Sequence, residues 1–337
     1  MAFACSFLAL ESVCAQEKTL TVGMYGGSWE TVFKEKIIPV FETANKVKVE
    51  VVPGNSTENL ARLQAQKGNQ ELDVVILDDG PMYQAVALGF CAPLAKAPIY
   101  DEVYDLAKFS PNAVGVSVAA TGYTINTEWF KKEGWDEPSS WADLQDPKYN
   151  QVLVIPPINN TYGLHALVMT ARLNGGDEKN IDVGFSVMKE KIAPQVLVFE
   201  PSAGKMSELF QSNDIAIAIW GSGRAYPLAQ TGFPAKFVYP KEGAVVLMVT
   251  ACPVVGSDVP ELADAFIQHM LSKDVQELLA IEQAYGPANK TVKLPEEIAA
   301  NIPYGDDKIG KMQKMDWDTI NPLREEWTKR WAREIER

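Results

Sequence analysis

Apolar runs that stop at glycine or aspartate, each followed by an amphipathic stretch, constrain this chain more than any other feature. Thr19-Leu20-Thr21-Val22-Gly23-Met24-Tyr25 reads as a strand that ends in Gly26-Gly27-Ser28. Trp29, Val32, Phe33, Ile37, Val40 and Phe41 then recur at helical spacing. Residues 46–52 form the next strand and 57–67 the next helix, opened by Asn55, Ser56 or Thr57 as a cap. A third strand over 73–77 stops at Asp78-Asp79-Gly80, and 81–89 reads as a helix with proline in its first turn. Parallel strands cannot be joined by a tight turn and need a crossover, which the helices supply. A βαβαβ order therefore predicts an α/β fold: a mostly parallel sheet with helices on both faces.

A second block of the same kind begins near Thr121. Residues 122–126 read as a strand, 129–134 as a short helix, and Ser140-Trp141-Ala142-Asp143-Leu144 opens another helix. A buried strand over 152–155 ends in Pro156-Pro157-Ile158-Asn159-Asn160-Thr161. Helices follow over 164–173 and 181–192, then strands over 196–199, 215–220 and 245–252. Residues 262–271 and 275–284 are helical. Residues 312–337 are charged, with Trp317, Leu323, Trp327 and Trp331 as apolar members. That pattern is an amphipathic helix packing on a domain. A chain of 337 residues has room for two domains of ordinary size.

Composition removes several function classes. Asp and Glu number 44 against 31 Lys and Arg, a net charge of −13. Nucleic acid demands clustered basic residues, so it is not expected as a partner. Ala2 to Leu10 is a short apolar run, and Ser12-Val13-Cys14-Ala15 resembles a signal-peptidase site. Residues 1–15 are therefore read as the remnant of a signal peptide, with the mature protein exported, in the periplasm. The run is shorter than the roughly 20 apolar residues a bilayer span needs. Its basic start is missing, so a start inside a longer precursor is expected. Glu11 weakens a lipoprotein reading through Cys14.

Cys91 and Cys252 remain after cleavage, and their apolar neighbours favour two buried free thiols over one disulfide. No CxxC pair, metal-ligand spacing, GxSxG elbow, Walker loop or GxGxxG occurs. His165 and His269 are the only histidines. An enzyme is not expected, and neither a metal nor a cofactor is implied.

Candidate binding residues come from strand ends, because ligands of α/β sheets sit outside the carboxyl ends of the strands. Ile215-Ala216-Ile217-Ala218-Ile219 runs into Trp220-Gly221-Ser222-Gly223-Arg224. Trp220 offers a stacking wall, Ser222 and Gly223 offer close approach, and Arg224 offers a planar charged fork for a carboxylate or phosphate. The plain alternative for Arg224 is a surface ion pair. Tyr25, Gly26, Gly27, Ser28 and Trp29 follow the first strand, where a glycine loop can present N–H groups to an anion or merely turn the chain. Asp78 or Asp79 can hold an amine or cap a helix. Asn159, Asn160 and Thr161 can donate to a carboxylate or form another cap. Tyr123 and Tyr285 fall at hinge or cleft positions.

Four phrases in order carry a resemblance. They are Ser140-Trp141-Ala142-Asp143-Leu144-Gln145-Asp146-Pro147-Lys148-Tyr149, Tyr239-Pro240-Lys241-Glu242-Gly243-Ala244, Ala263-Asp264-Ala265-Phe266-Ile267-Gln268-His269-Met270-Leu271-Ser272 and Tyr285-Gly286-Pro287-Ala288-Asn289-Lys290. Together they resemble the periplasmic solute-binding proteins of ABC importers, in the spermidine/putrescine-binding group. The resemblance implies a two-lobed type II periplasmic-binding-protein fold, each lobe a mixed, mostly parallel sheet flanked by helices. It implies a solute in the cleft, a membrane permease and an ATPase as partners, and a monomer. Lobe 1 is expected over 16–122 plus 248–303, lobe 2 over 123–247 plus 304–337, with a hinge near 121–127 and 245–252.

The chain departs from the polyamine pattern in three places. The strand after Lys241-Glu242-Gly243 is Val245-Val246-Leu247-Met248-Val249-Thr250, with neither Trp nor carboxylate. The loop Pro157-Ile158-Asn159-Asn160-Thr161 carries no acid, and a Trp-Asn-Gly-Ser phrase has become Trp220-Gly221-Ser222-Gly223-Arg224. A dication loses its anchors there, and an unpaired buried ammonium costs several kcal/mol. The expected ligand is a small carboxylate-bearing solute, with a zwitterion such as γ-aminobutyrate favoured. Arg224 would take the carboxylate, Asp78 or Asp79 the amine, and Trp29 and Trp220 would flank the chain. A dicarboxylate, a phosphonate or a polyamine are the alternatives, and a hydrolase or transferase on the same scaffold is the alternative of another class.

Overall fold

The computed structural model describes residues 18–300 and 302–336, so the expected signal segment lies outside the described residues. The strands are β1 (Lys18–Met24), β2 (Val47–Pro53), β3 (Val74–Asp78), β4 (Val114–Asn126) and β5 (Leu153–Val154). β6 (Val196–Val198), β7 (Ile217–Gly221), β8 (Ala235–Val238), β9 (Val245–Pro253) and β10 (Gly286–Pro287) follow. They join in the order β2-β1-β3-β9-β4-β7-β5-β6, with β8 and β10 paired to β4.

At one end β2, β1 and β3 are parallel, and at the other end so are β7, β5 and β6. Between these two parallel trios, β9 and β4 run antiparallel to each other and to the strands beside them. Both trios therefore point their carboxyl ends toward the middle of the molecule. β4 pairs with β9 from Val114 to Thr121, then with β7 from Thr121 to Ile125. The expected hinge segments lie on these two crossing strands.

Each trio has its own core. One gathers Leu20, Met24, Trp29, Phe33, Phe41 and Phe266. The other gathers Tyr123, Trp141, Leu167, Phe185, Trp327 and Trp331. The charged C-terminal stretch forms the helix Trp317–Glu334, which lays its tryptophans into the second core. No helix among the described residues is long and apolar enough to cross a membrane.

Several local expectations fail for identifiable reasons. β4 begins at Val114, well before the expected 122, because it is buried along its whole length and shows no alternation. Ser140 opens a 3₁₀ turn, Trp141–Gln145, and Pro147 just beyond keeps it from continuing as an α-helix. The helix Ser222–Gln230 contains Gly223 and Pro227, poor helix formers, and was not visible in the sequence. Cys91 and Cys252 are bonded to each other, so the expectation of free thiols is corrected. Cys91 sits beside Val254 in a bridge at the end of β9, which brings the two Cα atoms to 5.6 Å. The apolar neighbours that suggested free thiols instead enclose the disulfide, with Leu63, Leu72, Leu77 and Met82 in the same cluster.

Candidate functional site

The loops at the carboxyl ends of both trios enclose a cavity of about 210 Å³. Tyr25–Gly27 follow β1, Gly54–Thr57 follow β2, and Asp78 ends β3. Across from them stand Asn159–Tyr162 after β5, Glu200–Gly204 after β6, Trp220 at the end of β7 and Arg224 just after it. Leu247 of β9 and Tyr285 complete the wall. Gly27, Asn55, Asp78, Asn160 and Ser202, each the N-cap of a helix, all lie on this lining. Helix N-termini carry partial positive charge, so their convergence favours an anionic group.

The caps differ in what they leave free. The Asn55 side chain accepts from Glu58 N–H at 2.9 Å, and Asn160 accepts from Tyr162 N–H at 3.0 Å. Gly27, at φ +72°, has no side chain to offer, and a Cβ there would stand 3.5 Å from Nη1 of Arg224. The Asp78 side chain makes no capping hydrogen bond. Its Oδ1 accepts from the Tyr25 hydroxyl at 2.5 Å, and its Oδ2 accepts from the Thr161 hydroxyl. Its own N–H donates to the Ser56 hydroxyl at 2.9 Å.

Among the described residues that line the cavity, three hydrogen bonds cross from one wall to the other. Thr161 donates to Asp78, Arg224 Nη1 donates to the Gly26 carbonyl at 3.2 Å, and the Thr57 hydroxyl donates to the Asn159 carbonyl at 2.6 Å. The halves thus touch around a space that still holds small-molecule volume.

Arg224 is half-buried and its guanidinium lies 5.9 Å from the centroid of the Tyr25 ring. Among the described residues lining the cavity it is the one cation, and Asp78 and Glu200 are the carboxylates. Burial, reinforced by the charge of Asp78, pushes the Tyr25 hydroxyl well above its ordinary pKa. Burial likewise raises Tyr162 and Tyr285. These phenols stay neutral near pH 7, while the guanidinium stays charged.

Tyr25, Gly26, Gly27, Asp78, Asn159, Asn160, Thr161, Trp220, Arg224 and Tyr285 are brought together on the lining. Ser28 lines an adjoining recess with Ala203, Gly204 and Arg224. Other expected residues stand elsewhere. Trp29 is fully buried, stacked on Phe33 at 4.9 Å and edge-on to Tyr285 at 4.8 Å, so it supports the wall from behind and flanks no ligand. Tyr123 is a core residue whose hydroxyl donates to the Ser140 carbonyl at 3.0 Å. The Ser222 hydroxyl accepts from Ala120 N–H at 3.1 Å and ties the helix to β4. A Cβ on Gly223 would fall 2.3 Å from the Tyr285 ring, so that glycine permits packing. Asp79 turns away, and its Oδ2 accepts from Trp317 Nε1 at 2.7 Å.

The strand-end rule missed Ser56, Thr57, Tyr162 and Glu200. Ser56 and Thr57 read only as caps, and Tyr162 follows the predicted Thr161. Glu200 stands directly after the predicted strand 196–199, so the same rule applied there would have found it. Neither histidine lines the cavity. Burial, with Arg324 and Arg172 nearby, lowers His165 to about 3, and its Nδ1 lies 2.8 Å from the Thr121 hydroxyl. Among the described residues no group of His, Cys, Asp or Glu side chains is arranged to hold a metal ion.

The model of a family described as bacterial extracellular solute-binding protein matches residues 36–304. The chain is 26% identical over 292 residues to spermidine/putrescine-binding periplasmic protein 1 of Haemophilus influenzae, covering 82% of this chain and 78% of that protein. A likeness to the spermidine/putrescine-binding periplasmic protein of Escherichia coli, 24% identical, spans 48% of this chain and 46% of the relative. An ABC transporter structure from Clostridium perfringens superposes with a TM-score of 0.73 at 25% identity, covering 94% of this chain and 99% of that one. The periplasmic binding protein AgtB of A. tumefaciens, in complex with agropinic acid, gives a TM-score of 0.79 at 21% identity, with 95% and 99% covered. This chain belongs to the bacterial extracellular solute-binding protein family, whose members are substrate-binding components of ABC transporters and not enzymes. Such proteins work with a membrane permease and an ATPase.

Proposed function

We propose that, as a bacterial extracellular solute-binding protein, this chain captures a small carboxylate-bearing solute, with a γ-aminobutyrate-like zwitterion as the best fit. The single observation that carries this reading is Arg224. It is a half-buried guanidinium on the cavity wall, bonded to the Gly26 carbonyl and set beside the Tyr162 hydroxyl, with no carboxylate of the described residues bonded to it. A buried cation with no opposite charge bonded to it is stabilised by an anionic partner. The converging helix N-termini act in the same direction. The polyamine reading draws support from the Haemophilus relative's name. Against it, Arg224 repels an ammonium and both oxygens of Asp78 are engaged. The protein acts as an exported monomer, and the lobes 16–122 plus 248–303 and 123–247 plus 304–337 close over the solute about β4 and β9.

Thermal-shift screening tests the reading, because a ligand that binds only the native state raises its stability by mass action. γ-Aminobutyrate should raise the melting temperature more than putrescine or spermidine. Greatest stabilisation by a polyamine overturns it.

A further inference from the structure

We infer that Glu200 recognises the ammonium end of the solute, so that the cleft selects zwitterions over dications and dianions. The inference rests on the carboxylate reading of Arg224 given above. A zwitterion needs a second, negative anchor, and among the described residues lining the cavity only Asp78 and Glu200 are acidic.

Asp78 already holds one hydrogen bond on each oxygen. The Tyr25 hydroxyl holds Oδ1 at 2.5 Å, the Thr161 hydroxyl holds Oδ2, and the Ser56 hydroxyl fixes its backbone N–H at 2.9 Å. An ammonium that displaced Thr161 would break a tie between the two halves that the closed cleft uses. Asp78 therefore serves the closure and not the ligand.

Glu200 differs on each point. It is half-buried on the opposite wall, after β6. Its Oε1 accepts from Ser202 N–H at 2.7 Å, which fixes the side chain over the turn through Pro201. Its Oε2 accepts no hydrogen bond from the described residues. Lys205 is the nearby cation, and it is engaged with Glu208 at 3.0 Å. An oriented carboxylate with one oxygen open, facing the same small cavity as an oriented guanidinium, matches a short chain with opposite charges at its ends. A second carboxylate in place of the amine would meet Glu200 as a like charge. A second amine in place of the carboxylate would meet Arg224.

The test is isothermal titration of γ-aminobutyrate, succinate and putrescine against wild type, Glu200→Gln and Arg224→Ala. The glutamine keeps an oxygen for Ser202 and removes the charge. Glu200→Gln should weaken γ-aminobutyrate about tenfold or more, as loss of one member of a charged pair does, and should leave succinate unweakened or tightened. Arg224→Ala should lose both. If Glu200→Gln binds γ-aminobutyrate within about twofold of wild type while Arg224→Ala loses it, the Glu200 assignment is wrong and the carboxylate reading stands. Wild type preferring succinate to γ-aminobutyrate has the same meaning. If Arg224→Ala binds γ-aminobutyrate unchanged, if putrescine binds wild type most tightly, or if wild type binds none of the three, the carboxylate reading fails and the Glu200 assignment with it.

Discussion

Asp78 and Asp79 are neighbours in sequence and serve two different regions between the halves of the molecule. Asp78 faces the cleft, with both oxygens bonded to Tyr25 and Thr161. Asp79 faces a buried seam beneath it, where the helix Trp317–Glu334 docks on the helix Asp79–Ala87. There Trp317 Nε1 donates to Asp79, and Asn321 donates to the Gly80 carbonyl at 3.2 Å and accepts from Gln84 at 3.0 Å. The seam also buries Asp79 Oδ1, His165 Nε2 and Arg324 Nη1 without partners. In the cleft Asp78 is bonded on both oxygens, while Glu200 keeps one oxygen open and Arg224 meets no carboxylate among the described residues. The seam leaves buried polar atoms without partners. The difference teaches that a charge left open beside a cavity is available to a ligand, while a charge buried in a seam is held at a cost to stability.

Arg224→Ala gives the largest expected effect. Removing one partner of a desolvated charge pair costs about 2–5 kcal/mol of binding, tens- to thousands-fold in Kd. Arg172→Ala, whose guanidinium is already paired with Glu178 at 2.5 Å outside the cleft, should leave affinity near wild type. Calorimetry showing equal affinity in wild type and Arg224→Ala would erase the distinction between cleft and seam.

The next effect belongs to the seam and depends on pH. Burial, joined by the charge of Asp78, raises Asp79 from 3.8 to about 7, although the Trp317 hydrogen bond pulls it down. A folded-state pKa above the unfolded one means that the native state binds the proton more tightly. This contribution to stability is complete below about pH 4 and is lost as pH rises toward 7, on the order of a few kcal/mol. Arg324 shares the seam and is itself lowered to about 10 by burial, despite Asp78 and Asp79. Asp79→Asn keeps an acceptor for Trp317 and removes the titration. It should be more stable than wild type at pH 8 and show a flatter urea-midpoint profile from pH 4 to 8. A wild-type slope that survives the substitution assigns the titration to another group.

Trp317→Phe sharpens the same contrast with a smaller effect. It leaves Asp79 Oδ2 without its donor, at a cost of about 1–3 kcal/mol in folding. Because Trp317 does not line the cavity, affinity for a bound solute should hold within about twofold. Denaturant midpoints and calorimetry on one preparation separate the two readouts.

Much of this arrangement was legible in the sequence, for physical reasons that also explain the failures. Strand ends show themselves by period and by glycine, so Tyr25, Trp220 and Arg224 could be placed on one rim. Direction is another matter. Trp29 follows the same glycine loop as Tyr25, but the helix turns it into the core against Phe33. Gly223 answers to Tyr285, and Cys91 to Cys252 at a separation of 161 residues, contacts that no local pattern encodes. The first half of β4 was invisible because burial on both faces removes the alternation by which a strand is recognised. Glu200 was legible too, because it stands directly after the predicted strand 196–199.

The smallest predicted effect lies at the edge of the cleft. The Thr57 hydroxyl donates to the Asn159 carbonyl at 2.6 Å, from the turn after β2 to the turn after β5. Both residues are at least partly exposed, so water can replace either partner when the halves part. The net worth of such a bond is about 0.5–1.5 kcal/mol. It exists only in the closed arrangement, so Thr57→Val should shift the opening equilibrium and weaken solute binding by about two- to tenfold. Contacts to the solute itself, and the denaturation midpoint without solute, should stay as they are. Small-angle scattering then reads the mechanism directly. Saturating solute should shrink the radius of gyration of wild type and variant to the same value, with the variant needing more solute to reach it. An affinity loss without that shift in the scattering midpoint would place Thr57 on the ligand and not on the closure.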